Sequence, residues 1–339
     1  MPVPSNAGFL DDFRRKRRRR LLVLGAALIV CLFLTALWRI ALGEWRIPLS
    51  HVFSYLSPFL PEAEQQLPEA LVVRAVRLPR LLSSLGTGGL LGASGAVLQG
   101  LLANPLAEPY TLGIASGAAF GGALGFFFGS SAVTPMAFAG ALLSLMMVSL
   151  IARRYGGSGA YLVLAGIITN AVLSAGVTFL KAIADDRLGA IVLWLMGSFS
   201  GAGPSAAFSV WIGAAAVIVP SWLCGRQLDA VSLGEGQGEL LGIDEGRLRL
   251  LMISTASLGT ALAVSNFGII GFVGLAAPHI IRLIIGPAHR PLLIFSFLAG
   301  ALLLTLADGL AQRLGELPVG VITALLGGPF FCWILVRRK

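Results

Sequence analysis

The chain has 339 residues, of which 56% are apolar or aromatic and only 12% are charged, with a mean hydropathy of +0.87. A soluble globular chain carries about 25% charged residues, so most soluble readings are excluded, and disorder and a disulfide scaffold with them. The net charge of +9, from 25 basic and 16 acidic residues, would suggest nucleic acid in a soluble protein. Here its densest run, Arg14, Arg15, Lys16, Arg17, Arg18, Arg19 and Arg20, stands directly before an apolar stretch that starts at Leu21. That arrangement reads as a cytoplasmic anchor obeying the positive-inside rule, with no nucleic-acid partner.

In chain order, residues 1–20 form a basic cytoplasmic tail and 21–339 a single membrane domain. A helical span needs roughly 20 mostly apolar residues. Ten segments qualify: 21–43, 78–102, 110–129, 132–152, 159–183, 206–224, 247–270, 272–286, 291–312 and 318–336. The first exceeds a signal-peptide core of roughly 7–15 residues. The eighth is short for a span, which points to an irregular segment or one buried among other helices. Residues 188–200 are apolar but too short to cross, and suit a re-entrant or interfacial helix. The expectation is an all-α polytopic membrane protein with ten transmembrane helices and one short extra helix.

Charge tests the topology. With both termini in the cytoplasm, Arg153, Arg154, Arg226, Arg247, Arg249, Arg282, Arg290, Arg337, Arg338 and Lys339 all fall inside. Arg74, Arg77, Arg80 and Arg313 fall outside. Two readings stand for this group: arginines snorkelling to lipid phosphates, or an exposed docking surface for an acidic partner, since the guanidinium fork binds carboxylates two at a time. The inside loop at 226–246 also has two readings. It is a polar connector, or a short amphipathic knob for a cytoplasmic subunit, with Leu240, Leu241 and Ile243 as its apolar contacts.

No catalytic motif is visible. The glycine-rich stretch Gly86 to Gly95 lies within an apolar helical pattern and reads as close helix packing. The only lysines, Lys16, Lys181 and Lys339, lie outside any GK[ST] context. The chain therefore supplies no P-loop, and ATP that drove it would be bound by another subunit. The cysteines Cys31, Cys224 and Cys332 read as small apolar residues, and His51, His279 and His289 are too scattered for a metal site. Asp308, late in the ninth segment, is an ionisable group at membrane depth, expected to pair with Arg313 or to cap a helix. No chain of buried carboxylates suggests a proton relay. An ion-coupled secondary transporter remains the rival class, and a structural scaffold is the third.

Three runs carry a family resemblance. The first is Arg77-Leu78-Pro79-Arg80, then Gly95, Gln99, Asn104-Pro105-Leu106-Ala107-Glu108-Pro109, Leu112-Gly113 and Gly117-Ala118. The second is Gly268-Ile269-Ile270-Gly271-Phe272-Val273-Gly274-Leu275, continuing to Pro278-His279 and Arg282. The third is Asp308, Glu316-Leu317-Pro318-Val319-Gly320, Thr323 and Gly327-Gly328-Pro329-Phe330-Phe331. Over about residues 70–338 the chain resembles the FecCD family, permease subunits of type II ABC importers for ferric siderophores, haem and vitamin B12.

The resemblance implies ten transmembrane helices and a homodimer, or a pair of homologous permeases, with the translocation path between the copies. It implies two ATPase subunits on the inner face, which bind ATP and Mg, and a periplasmic or lipid-anchored binding protein on the outer face. This chain would hold no cofactor and no metal of its own and would sit in the inner membrane among lipid. The loop with Leu233, Gly234, Glu235, Leu240, Leu241 and Gly242 matches the family's ATPase-coupling region. Arg77 and Arg80 match its docking arginines. A further family arginine stands four residues after the Asp at 308. Gln312 occupies that place here, with Arg313 beside it. Gln99, Asn104, Pro105, Gly274, Pro278, His279, Asp308 and Pro318 are expected as structural motif residues, with His279 hydrogen-bonded rather than ligating haem or metal. Asn170 and Ser174, one turn apart in the fifth segment, are weak candidates for the pathway lining, with helix packing as the alternative. An iron chelate, siderophore or haem is the favoured cargo, with cobalamin the runner-up and oxyanions such as molybdate open.

Overall fold

The structure, a computed structural model, describes residues 6–43, 45, 47–57, 61–155, 159–234 and 236–337. Every regular element among them is a helix. The arginine run and the first apolar stretch form one continuous helix, α1 (Asn6–Ala41). Short helices then lead through a π-helical turn, Val72–Arg77, into α2 (Leu78–Leu101). The remaining apolar helices are α3 (Ile114–Phe128), α4 (Ser130–Arg154), α5 (Gly159–Ala182), the short α6 (Leu188–Leu195) and α7 (Pro204–Leu223). Two short helices follow, α8 (Gly225–Val231) and α9 (Gln237–Leu240). The chain closes with α10 (Glu245–Phe267), α11 (Val273–Ile285), α12 (His289–Arg313) and α13 (Val319–Arg337).

Each of the ten apolar segments thus contains one helix, and 188–200 contains the short α6. Among the described residues, seven helices are long and apolar enough to cross a membrane. The helices α3, α11 and the described part of α13 are shorter. At about 1.5 Å per residue, α11 spans about 20 Å, less than a hydrocarbon core of about 30 Å. The non-helical run 268–272 precedes α11. Backbone at membrane depth must be satisfied inside the protein. Here the Tyr110 hydroxyl donates to the carbonyl of Ile270 at 2.9 Å, and the Ser198 amide donates to the carbonyl of Phe267, also at 2.9 Å.

Helix α2 is the hub. It packs on α7, α10, α11 and α12 and is buried along almost its whole length. A helix can be buried on every face only if its neighbours come close, and glycine allows that. Gly88 of α2 and Gly300 of α12 each lie against the other's carbonyl, and Gly117 of α3 and Gly140 of α4 repeat the arrangement. Gly95 rests on the carbonyl of Gly274. Pro278 has no N–H, so that carbonyl lacks its usual helical donor. A Cβ at position 95 would overlap Gly274, whereas nothing lies within 4 Å of one built at Gly201. Forced overpacking costs about 1–3 kcal/mol or more. Gly95→Ala should therefore lower the thermal midpoint and monodisperse yield of the purified protein, with Gly201→Ala unchanged. Equal behaviour of the two would refute this packing.

Helix α1 lies at the periphery. It packs on α12 and leaves Leu22, Val23, Ile29, Val30 and Phe33 exposed, a face suited to lipid.

Candidate functional site

Chemistry concentrates at the two ends of the bundle. At the end where α1 finishes and α2 begins, four charged side chains meet. Arg80 grips Asp308 as a fork, with Nε to Oδ2 at 3.1 Å and Nη2 to Oδ1 at 3.0 Å. Its remaining Nη1 donates to Glu316 at 2.8 Å. Arg39, in the last turn of α1, donates to the same Asp308 carboxylate and to the Gln312 side-chain oxygen. Two arginines and two carboxylates balance to zero charge, the condition for burying ions at membrane depth. The cluster ties α1, α2, α12 and the following loop together.

Arg77 and Arg80, expected to be exposed, are not at the surface here. Both are buried at 7% exposure. Arg77 donates to the carbonyls of Ile40 at 2.9 Å and Trp45 at 2.5 Å, closing the linker after α1. In this conformation their donors are used internally. Asp308 pairs with Arg39 and Arg80 rather than with Arg313. Arg313 is exposed, with its guanidinium 5.1 Å from the centre of the Trp38 ring.

At the other end, the loop 226–246 is built around a charged pin. The Glu245 carboxylate, buried at the start of α10, accepts the Gly238 amide at 2.8 Å. Asp244 caps α10 by accepting the Arg247 amide at 2.9 Å. Gly236 and Gly242 flank the short α9 with φ of 79° and 75°, a left-handed conformation that other residues rarely adopt. The pinned turn holds Leu240 at 80% and Leu241 at 68% exposure, and Leu233, earlier in the loop, is 75% exposed. Ile243, expected with the contact leucines, is half-buried and packs on the core instead. Glu235 lies outside the described residues.

Between these ends, the motif residues hold backbone in place. Gln99 donates to the Leu275 carbonyl at 3.4 Å and accepts from Arg282 at 2.9 Å. Asn104 closes the turn before Pro105 by accepting the Leu106 amide at 2.9 Å. Pro278 and His279 are buried in α11, and the His279 ring centre lies 6.5 Å from that of Phe331. Pro318 leads into α13, where Gly320 packs against the carbonyls of Met196 and Ile269. Asn170 accepts from Ser116 at 2.6 Å and so joins α5 to α3, whereas Ser174 is exposed on α5.

Residues 28–337 match the FecCD transport family. The chain belongs to that family. It is 41% identical over 283 residues to the hemin transport system permease protein of Yersinia pestis, covering 78% of this chain and 83% of that one. It is 40% identical over 297 residues to the vitamin B12 import system permease protein of Vibrio cholerae, covering 84% and 87%. A solved structure described as an inward-facing metal-chelate type ABC transporter superposes with a TM-score of 0.80 at 31% identity, covering 95% of this chain and all of that one. This FecCD chain is thus a membrane permease, a transport subunit rather than an enzyme.

One FecCD residue of the charged cluster escapes sequence reasoning. Arg39 lies inside the apolar stretch 21–43, and a lone arginine there demands an acidic partner. That signal was legible, but its partner Asp308 lies 269 positions away.

Proposed function

We propose that this permease works in an ATP-binding-cassette importer for a metal chelate, with two copies forming the path. The observation that carries the reading is the pinned leucine knob, the exposed Leu240 and Leu241 on a turn held by Glu245, at the end that bears the N-terminal arginines. A contact of this kind suits a cytoplasmic ATPase, which would bind ATP and Mg while this chain binds neither. The positive-inside rule supports putting that end, and both termini, in the cytoplasm. All ten helices then cross the inner membrane, the shorter ones completed by non-helical backbone.

A binding protein, periplasmic or lipid-anchored, would deliver cargo to the opposite end. Of its three expected contacts Arg313 is exposed, and Arg77 and Arg80 would take part only after their internal bonds open. The exposed face of α5, with Ile167, Ile168, Val172 and Ser174, suits the second copy and the path. An iron chelate, siderophore or haem, is the proposed cargo, supported by the hemin permease as a relative.

The test is mild-detergent purification of the tagged chain from its own membrane, followed by mass spectrometry. An ATPase in equal amount, together with a binding protein that carries an iron chelate, supports the proposal. A binding protein carrying cobalamin would replace the cargo. Recovery of this chain alone, with transport in ATP-free liposomes under an ion gradient, would overturn it in favour of a secondary transporter.

A further inference from the structure

A second feature stands at the arginine-bearing end, beside the leucine knob. The N-terminal part of α1, the end of α8 and the turn after α11 enclose an open cavity of about 950 Å³. Lys16, Arg17, Arg20 and Arg282 line it, with Asp229 as the one carboxylate among its described lining residues. Asp229 is already engaged. It accepts both the backbone amide and the ring nitrogen Nδ1 of His289, each at 2.7 Å. Burial alone would raise its pKa, but the His289 hydrogen bonds and the charges of His289 and Arg17 outweigh that and hold it below its ordinary value. Lys16 is shared with Asp12, and Arg282 with Gln99. The charge facing the cavity is thus strongly positive.

The cavity lies at the level where α1 changes from charged to apolar. Arg20 and Leu21 both line it, and Leu22 and Val23 beyond them are exposed. Leu283, at 74% exposure, and Ile284, at 47%, also line it. Cationic side chains together with outward-facing aliphatic ones match one kind of ligand, a phosphate headgroup with acyl chains attached.

We propose that this cavity is a binding site for one anionic phospholipid per chain, with its headgroup phosphate held by Arg17, Arg20, Lys16 and Arg282. A bound lipid would fasten the basic stretch of α1 to the turn after α11 and to α8, next to the loop that carries Leu233. The site depends on the chain lying in a membrane and not on which cargo it carries.

The intact permease complex is exchanged into detergent, and retained lipid is counted by native mass spectrometry. The lipids added back are phosphatidylglycerol and phosphatidylcholine. One phosphatidylglycerol per chain should survive exchange, and phosphatidylcholine should not. In Arg17→Gln/Arg20→Gln, retention should fall at least about tenfold, since basic residues supply the attraction to an anionic headgroup. The control Arg153→Gln/Arg154→Gln removes the same charge elsewhere and should retain the lipid. Both pairs are at helix surfaces, so the complex itself should assemble normally. Equal retention of the two lipids, or undiminished retention in Arg17→Gln/Arg20→Gln, would overturn the proposal. Displacement by millimolar inorganic phosphate would also overturn it, since the site would then take a free anion.

Discussion

Uptake should fall at least tenfold when Leu240 or Leu241 is replaced by Glu, while the protein keeps its fold. Leu240 and Leu241 are 80% and 68% exposed, so neither contributes to the core. Exposed substitutions of this kind usually move stability by less than about 0.5 kcal/mol. Burying a leucine against a partner contributes about 1.5–3 kcal/mol. A carboxylate in its place would have to be desolvated without a partner, which costs more. Because about 1.4 kcal/mol is a factor of ten in an equilibrium constant, either variant should lose most of its coupling to the ATPase. The check pairs uptake with copurification of the ATPase and with the thermal midpoint. Normal uptake would show that the knob couples nothing. A lowered midpoint would show instead that the leucines support the fold.

The second large effect lies at the opposite end. Asp308→Asn should lower the stability of the purified protein by about 3–5 kcal/mol, the usual loss when one member of a buried ion cluster is removed. Asp308 is 1% exposed and serves two guanidinium groups. Its neutral amide would leave Arg39 and Arg80 sharing only Glu316, whose side chain is 49% exposed. Arg313→Ala, at the same end, should be mild by contrast. It removes a guanidinium stacked on Trp38, an exposed contact that contributes about 0.5–1 kcal/mol. Thermal unfolding in detergent separates the two variants, and similar midpoints would refute the buried cluster.

Local properties were legible in the residues. Hydropathy and length located all ten apolar helices and the short α6, because a helix satisfies its backbone within one segment and needs no distant partner. The knob was legible in the same way, since glycines and a capping Asp define turns within a few positions. Family membership was legible too, because the motif runs are local strings of residues.

Exposure was not legible, because burial depends on what the rest of the chain brings near. Arg77 and Arg80 read as a docking surface from their place at a helix end. The structure buries them, because the end of α1 and the last turn of α12 fold over them. Arg80 meets Asp308 across 228 positions, and no periodicity within a segment encodes such a pairing. The same limit hid the partner of Arg39, and it hid the cavity that gathers residues from α1, α8 and the turn after α11. The sequence by itself determined that this is a helical membrane permease and where its helices run. Only the tertiary structure decided which charges are spent inside the protein and which are free to meet a partner, because neutralising a buried ion requires a counter-charge from elsewhere in the chain.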